Sequence, residues 1–232
     1  MPFVNHLKLE KQDDFFPSHL PMVAFEGIYN DHKVTVVTNG KDSVYGTNVD
    51  NVGTVPAAMA AFLALEKTKA SLLINAGTAG GFQRKGAAIG DVFLLEGVAN
   101  HDRRIPIPGF DSYVVGTIDL TKRIHPGKMA GGLGFKTGNC TTSNSLDRTE
   151  EDDKHMLSND ASVKDMEAAA IAWSCELQDT PFLGVKVVTD IVDGDKPTQE
   201  EFMENLGKAA ESLQSALPKV LEYICGKEHH EL

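Results

Sequence analysis

The chain has 232 residues, 41% hydrophobic and 24% charged, which suits one globular domain able to bury a sizeable core without staples. Its 22 basic and 33 acidic residues leave a formal net charge of −11, which repels nucleic acid and anionic lipid and excludes a polyanionic partner. No apolar run approaches the ~20 residues of a membrane helix, and the opening MPFVNHLKLEKQDDFF lacks a secretory pattern. Three dispersed cysteines, Cys140, Cys175 and Cys225, have no zinc spacing, so reduced thiols in a cytoplasmic protein are expected, with no metal and no cofactor. His229-His230 reads as part of a solvated tail.

In chain order, residues 21–27 (PMVAFEG) and 33–38 (KVTVVT) read as two strands joined by a turn over 28–32. Pro56 suits the first turn of a helix continuing through residues 57–67, because its missing N–H would be unpaired there anyway. Residues 71–74 form a short apolar strand that runs into a glycine turn, Asn75 to Gly81, and 91–99 form another strand. The polar His101-Asp102-Arg103-Arg104 precedes a proline-rich loop, which favours a structural role and a place at a subunit contact. Residues 127–138 are glycine-rich and end strand-like at 134–138, whereas 140–160 read as loop and short helix. Asp165-Met166-Glu167 opens an alanine-rich helix through Leu177. Residues 182–188 are a buried strand that ends in Thr189-Asp190. A long amphipathic helix from Thr198, its cap, to Ile224 closes the chain, with Pro218 kinking or splitting it. Strands alternating with helices predict an α/β fold, a single domain over 1–232 with a mixed, largely parallel sheet.

Three stretches carry chemistry. Glycines after a strand let backbone N–H groups approach an anion or sugar, although a plain tight turn is the commoner explanation of a stretch such as residues 75–81. Acids opening a helix usually complement its dipole, yet Glu167 could also hold two vicinal hydroxyls. Asp190 is sharper, because an acid ending a buried strand at a sheet's carboxyl edge is desolvated unless paired or protonated. Protonated, it could serve as a general acid; the ordinary alternative is a loop acid bound to backbone N–H groups.

Taken jointly, VGTVPA (52–57), INAGTAGGF (74–82), GDVFLLEGV (90–98), HDRRIPIP (101–108), NDASVKDMEAAAIA (159–172) and VTDIVDGDKPTQEEFMENL (188–206) resemble the nucleoside phosphorylase superfamily. Within it the resemblance is to the plant-type methylthioadenosine/S-adenosylhomocysteine nucleosidases, over most of the chain after Lys33. It implies a three-layer α/β/α sandwich, a homodimer, and hydrolysis of the bond between adenine N9 and ribose C1′ in methionine salvage. It also implies roles. Asp190 protonates N7, Glu167 holds the ribose hydroxyls, Met166 packs on the sugar and Thr78 lies near the ribose and water. Lys186 and Thr189 are polar neighbours of the acid, Leu146 lies near the base, and Phe202 lines the 5′-alkylthio pocket.

Two departures from the family pattern are expected to matter. Members begin with a strand and an A-M-x-x-E motif whose glutamate activates water, and Met1 to Asn5 resembles the segment immediately after that motif; neither Glu10 nor Glu26 replaces the glutamate. Either the true start lies upstream or the protein lacks its water-activating base, and absence of that strand predicts exposed apolar surface and lower stability. The second departure is residues 139–144, which read as an enlarged loop beside the base. The competing readings are a phosphate-dependent phosphorylase and a nucleoside-binding protein without catalysis.

Overall fold

The computed structural model describes residues 2–227, 231 and 232, so the His229-His230 pair lies outside the described residues. A short helix α1 (Pro2–His6) leads into β1 (Glu10–Gln12), β2 (Val23–Tyr29) and β3 (His32–Thr38), an antiparallel sheet in the order β1-β2-β3. The β2–β3 turn is tighter than the expected 28–32 span. Only Asn30 and Asp31 lie between the strands, with φ of 47° and 63°, the left-handed pair that suits the twist of a two-residue hairpin.

Next come α2 (Thr54–Thr68), with Pro56 in its first turn as expected, then β4 (Leu73–Gly81), β5 (Val92–Asn100), α3 (Asp111–Val115) and β6 (Ile118–Asp119). The remainder is α4 (Pro126–Leu133), β7 (Lys136–Thr142), α5 (Glu150–Ser158), β8 (Ala161–Asp165), α6 (Ala168–Leu177), β9 (Phe182–Ile191) and α7 (Thr198–Ile224). Their sheet has the order β6-β5-β7-β8-β4-β9, and β9 also pairs with β5, closing five strands on themselves. Pairs β4–β9, β5–β7 and β7–β8 are parallel, whereas β5–β9, β4–β8 and β5–β6 are antiparallel. The sheet is therefore mixed, and the fold is α/β.

Helices cover the sheet on two sides because its strands alternate apolar residues between faces. Phe93 and Leu95 pack with Ala57, Ala61 and Leu65 of α2 and Ala169 and Ala172 of α6. Leu94, between them, packs with Met129 of α4 and Leu217 and Val220 of α7. Those are the two outer layers of the sandwich.

Five local expectations are corrected. Residues 75–81 form all of β4 after its first two residues rather than a turn after it, because β9 pairs with β4 along its length. Residues 139–142 continue β7, held between β5 and β8, so no enlarged loop begins before Ser143. Asp165 and Met166 precede α6; Asp165 ends β8, and its Oδ2 accepts a hydrogen bond from Ala168 N at 2.9 Å. Finally, α7 runs unbroken through Pro218 because Ala216, Leu217, Val220 and Leu221 anchor both sides of it, and Thr198 is its first residue rather than a side-chain cap.

Among the described residues, β3 pairs only with β2, and residues 73–79 of β4 have no strand on the side away from β9. Val34, Val36 and Ile74 instead pack with Val4, Leu7, Leu9 and Leu221, so α1 and its following loop cover part of the apolar surface expected to be open there. Over the described residues no helix is long and apolar enough to cross a membrane.

Candidate functional site

The carboxyl ends of β4, β7, β8 and β9 meet in one place. Gly80 of β4 stands in register between Asp190 of β9 on one side and Lys164 of β8 on the other. Gly80 is required by its neighbours: a Cβ there would lie 2.7 Å from Asp190 Oδ2 and 2.6 Å from Val192 Cγ2. The glycine therefore makes room for the acid.

Asp190 is 2% exposed. Burial pushes its carboxyl above the usual range and Glu201 adds to that, while Thr189 and Lys164 pull it back. Thr189 Oγ1 stands 2.7 Å from Asp190 Oδ1 and 3.2 Å from Ala79 O. That hydroxyl has one hydrogen for two acceptors. A proton on Asp190 resolves the conflict, since the threonine can then donate to Ala79 and accept from the acid. Local geometry and burial thus favour the same protonation state.

Glu167 is half-buried in the turn between β8 and α6. Its Oε1 accepts Gly53 N at 2.9 Å, which is possible because Gly53, at φ 97°, aims its amide inward ahead of α2. Burial raises the Glu167 carboxyl, and the neighbouring Asp165 raises it further. A carboxylate has lone pairs beyond that one bond and can accept from hydroxyls as well.

Beneath Glu167 lies a buried ion pair, Lys186 Nζ to Asp165 Oδ2 at 2.8 Å. Thr142 Oγ1 donates to Asp165 Oδ1 at 2.6 Å and accepts from Ala169 N at 3.0 Å, which ties the start of α6 to β7. Burial opposes both charges, but the pairing wins, lowering the Asp165 pKa and raising that of Lys186. Lys186 is thus the partner of Asp165 under the site, on the same strand as Asp190. A Cβ on Gly77 would come within 3.6 Å of its ammonium.

The remaining candidates lie around this centre. Thr78 is half-buried on β4 opposite Val187, and Met166 is half-buried next to Glu167. Leu146 is 42% exposed on the loop after β7, with its carbonyl held by Lys164 at 2.7 Å. Phe202 is half-buried in the first turns of α7, which is fixed to β9 by Glu201 Oε2 accepting Ile191 N at 2.6 Å. Neither Glu10 nor Glu26 joins them: Glu10 is exposed on β1, and Glu26 bonds Thr35 and Lys33, both at 2.9 Å, within the hairpin.

His101 to Arg104 is a buttress, as its composition suggested. His101 is buried, its Nδ1 3.0 Å from Thr141 Oγ1, and burial, aided by Lys164, lowers its pKa to about 4. Asp102 Oδ2 accepts Asn144 N at 2.8 Å, and Asn144 Oδ1 accepts from the Thr54 amide and hydroxyl, both at 2.9 Å. Arg104 pairs with Asp152. The chain from Asp102 to Thr54 steadies Gly53, and through it Glu167. Gly53, Asn144 and Lys164 were not singled out from the sequence, and the buried strand β8 that carries Lys164 was not read there either.

The phosphorylase superfamily model matches residues 2–222. A 5′-methylthioadenosine nucleosidase of Arabidopsis thaliana is 42% identical over 233 residues, covering 100% of this chain and 85% of that protein. A 5′-methylthioadenosine/S-adenosylhomocysteine nucleosidase of the same plant is 42% identical over 227 residues, covering 97% and 87%. Among solved structures, the apo form of Arabidopsis thaliana 5′-methylthioadenosine nucleosidase aligns with a TM-score of 0.94 at 41% identity, over 100% of this chain and 93% of that one.

Proposed function

The chain belongs to the phosphorylase superfamily, and from that membership we propose that it hydrolyses the N-glycosidic bond of 5′-methylthioadenosine to adenine and a 5-thioribose, in methionine salvage. S-adenosylhomocysteine is a second candidate substrate, because one of the two plant relatives carries both names. The observation that carries the reading is Asp190, buried at the end of β9 with its pKa raised and a hydroxyl placed to share its proton.

Adenine leaves poorly as an anion and well once N7 is protonated. Asp190 delivers that proton as a general acid. Glu167 accepts the ribose hydroxyls on its remaining lone pairs, and its bond from Gly53 keeps it in place. As the ribose gains positive charge, a nearby carboxylate binds it more tightly than the ground state, which lowers the barrier. Met166 supplies an apolar wall for the sugar, Thr78 a hydroxyl beside it, and Phe202 a wall for the alkylthio group. Water then attacks C1′ as the bond to N9 breaks, and the proton it sheds returns by way of solvent to the Asp190 carboxylate, which restores the acid.

The same proposal includes a homodimer in a reducing, cytoplasmic setting. Val55, Met59 and Phe62 on α2 and Trp173 and Leu177 on α6 are exposed apolar side chains on two packed helices, and Cys140 and Cys175 are buried free thiols. Incubation with methylthioadenosine, with and without phosphate, tests the chemistry. Adenine release without phosphate is expected; a strict phosphate requirement refutes hydrolysis, and no release from either mixture refutes catalysis.

A further inference from the structure

Lys164 is 6% exposed, and a lysine is seldom so buried without a carboxylate partner. Its ammonium instead donates to three consecutive main-chain carbonyls, Ser145 O at 2.9 Å, Leu146 O at 2.7 Å and Asp147 O at 3.3 Å. Three donors meet three acceptors, so the group is saturated by the strap it holds. From the other end, Asn144 of that strap is held by Asp102. Between those two anchors the backbone has little freedom left.

We propose that Lys164 is a positioning residue, pinning the strap Ser145 to Asp147 over the base end of the site so that Asp190 and the base meet in a fixed geometry. The sheet register supports this. Lys164 and Asp190 flank Gly80 on opposite sides, and residues opposed in register point to one face. Gly80 has no side chain to separate them. The ammonium thus does a second thing: it is the cation facing the acid. Its charge lowers the Asp190 pKa against burial, and Asp190 in turn supports the charge on Lys164. Glu201 from α7 faces Asp190 with the opposite effect, while Asp147, Arg148 and Asp152 face Lys164 from the strap and α5.

The inference rests on the nucleosidase reading, so its test has one arm without turnover. Backbone amide exchange across residues 143–148 is compared in the wild-type chain, Lys164→Met and Lys164→Arg. Lys164→Met keeps the length and apolar stem but has no donor, so exchange there rises roughly tenfold or more, and Lys164→Arg recovers most of the protection. With methylthioadenosine, Lys164→Met raises KM roughly ten- to a hundredfold, the equivalent of one charged hydrogen bond. Its alkaline limb of kcat/KM moves to higher pH, because the acid keeps its proton longer once the cation is gone. A merely structural lysine would lower stability without moving that limb. Unchanged exchange in Lys164→Met overturns the anchoring role. Changed exchange with an unmoved alkaline limb overturns the electrostatic one. Failure of the wild type to release adenine refutes the function and leaves the exchange result to judge the strap.

Discussion

Asp190→Asn isolates the proton from everything else the acid does. Asparagine has the same shape, its amide N–H can donate to Thr189 Oγ1 in place of the acid's O–H while that hydroxyl donates to Ala79 O, and Gly80 leaves the same room for it. What it lacks is an acidic hydrogen to give N7. General acid catalysis contributes roughly 10²–10⁴ in rate, which is about 2.7–5.4 kcal/mol of barrier. The expected result is therefore a fall in kcat of that size for adenine release from methylthioadenosine, with KM changed little. The folded protein should also lose a pH dependence. The folded pKa of Asp190 is raised, so its contribution is fully present below the unfolded value near ~3.9 and is lost as pH rises through the folded value. Above that, wild type carries a buried carboxylate and Asp190→Asn does not. Urea unfolding of the two proteins should show the mutant gaining on wild type as pH increases. A mutant that keeps kcat within about tenfold of wild type would refute the general-acid assignment; parallel stability curves would refute the raised pKa.

Glu167→Gln keeps the acceptor for Gly53 N, 2.9 Å away, but removes the charge offered to the ribose, so kcat/KM should drop roughly ten- to a hundredfold with an unchanged melting curve. Gly80→Ala places a methyl group 2.7 Å from Asp190 Oδ2 and 2.6 Å from Val192, which should cost about 1–3 kcal/mol in thermal unfolding and displace the acid, lowering adenine release. Asp165→Asn strands the buried Lys186 ammonium and should destabilise by about 3–5 kcal/mol in urea; adding Lys186→Met should recover more than half of that.

The parts of this chain set by local pattern could be read from its sequence. The run 182–188 is β9 because a strand covered on both faces is apolar at almost every position, and Pro56 marked α2 because proline loses nothing in a first turn. Asp190 was legible for the same reason, as the first acid after that run. Boundaries were harder. Residues 75–81 include Gly77, Gly80 and Gly81 and look like a turn in isolation; they are strand because β9 supplies hydrogen bonds from Gly184 to Ile191, far along the chain. Residues 139–142 look like polar loop, and β5 and β8 make them the interior of a sheet.

Charge partners could not be read at all, for a physical reason that also explains the site. Lysine and aspartate are ordinarily surface residues, so nothing in the sequence marks Lys164 as buried or pairs Lys186, in the buried run 182–188, with Asp165. Desolvation makes each charge costly alone and strongly dependent on its partner, which turns a set of ordinary residues into a pH-sensitive network. In that network Lys186 satisfies Asp165 at 2.8 Å, so Glu167 beside them is left free for a substrate. Lys164 satisfies backbone rather than a carboxylate, so Asp190 is left free to hold a proton. Each buried lysine is thus occupied away from one of the two acids proposed to face the substrate. Exchanging the partners, by giving Lys164 a carboxylate through Leu146→Asp, should therefore loosen the strap and alter the acidity of Asp190 together, whereas the same substitution at the exposed Leu157 of α5 should do neither. Amide exchange over residues 143–148 and the alkaline limb of kcat/KM read the two effects, and a change in one without the other would show that strap and acid are not coupled through this lysine.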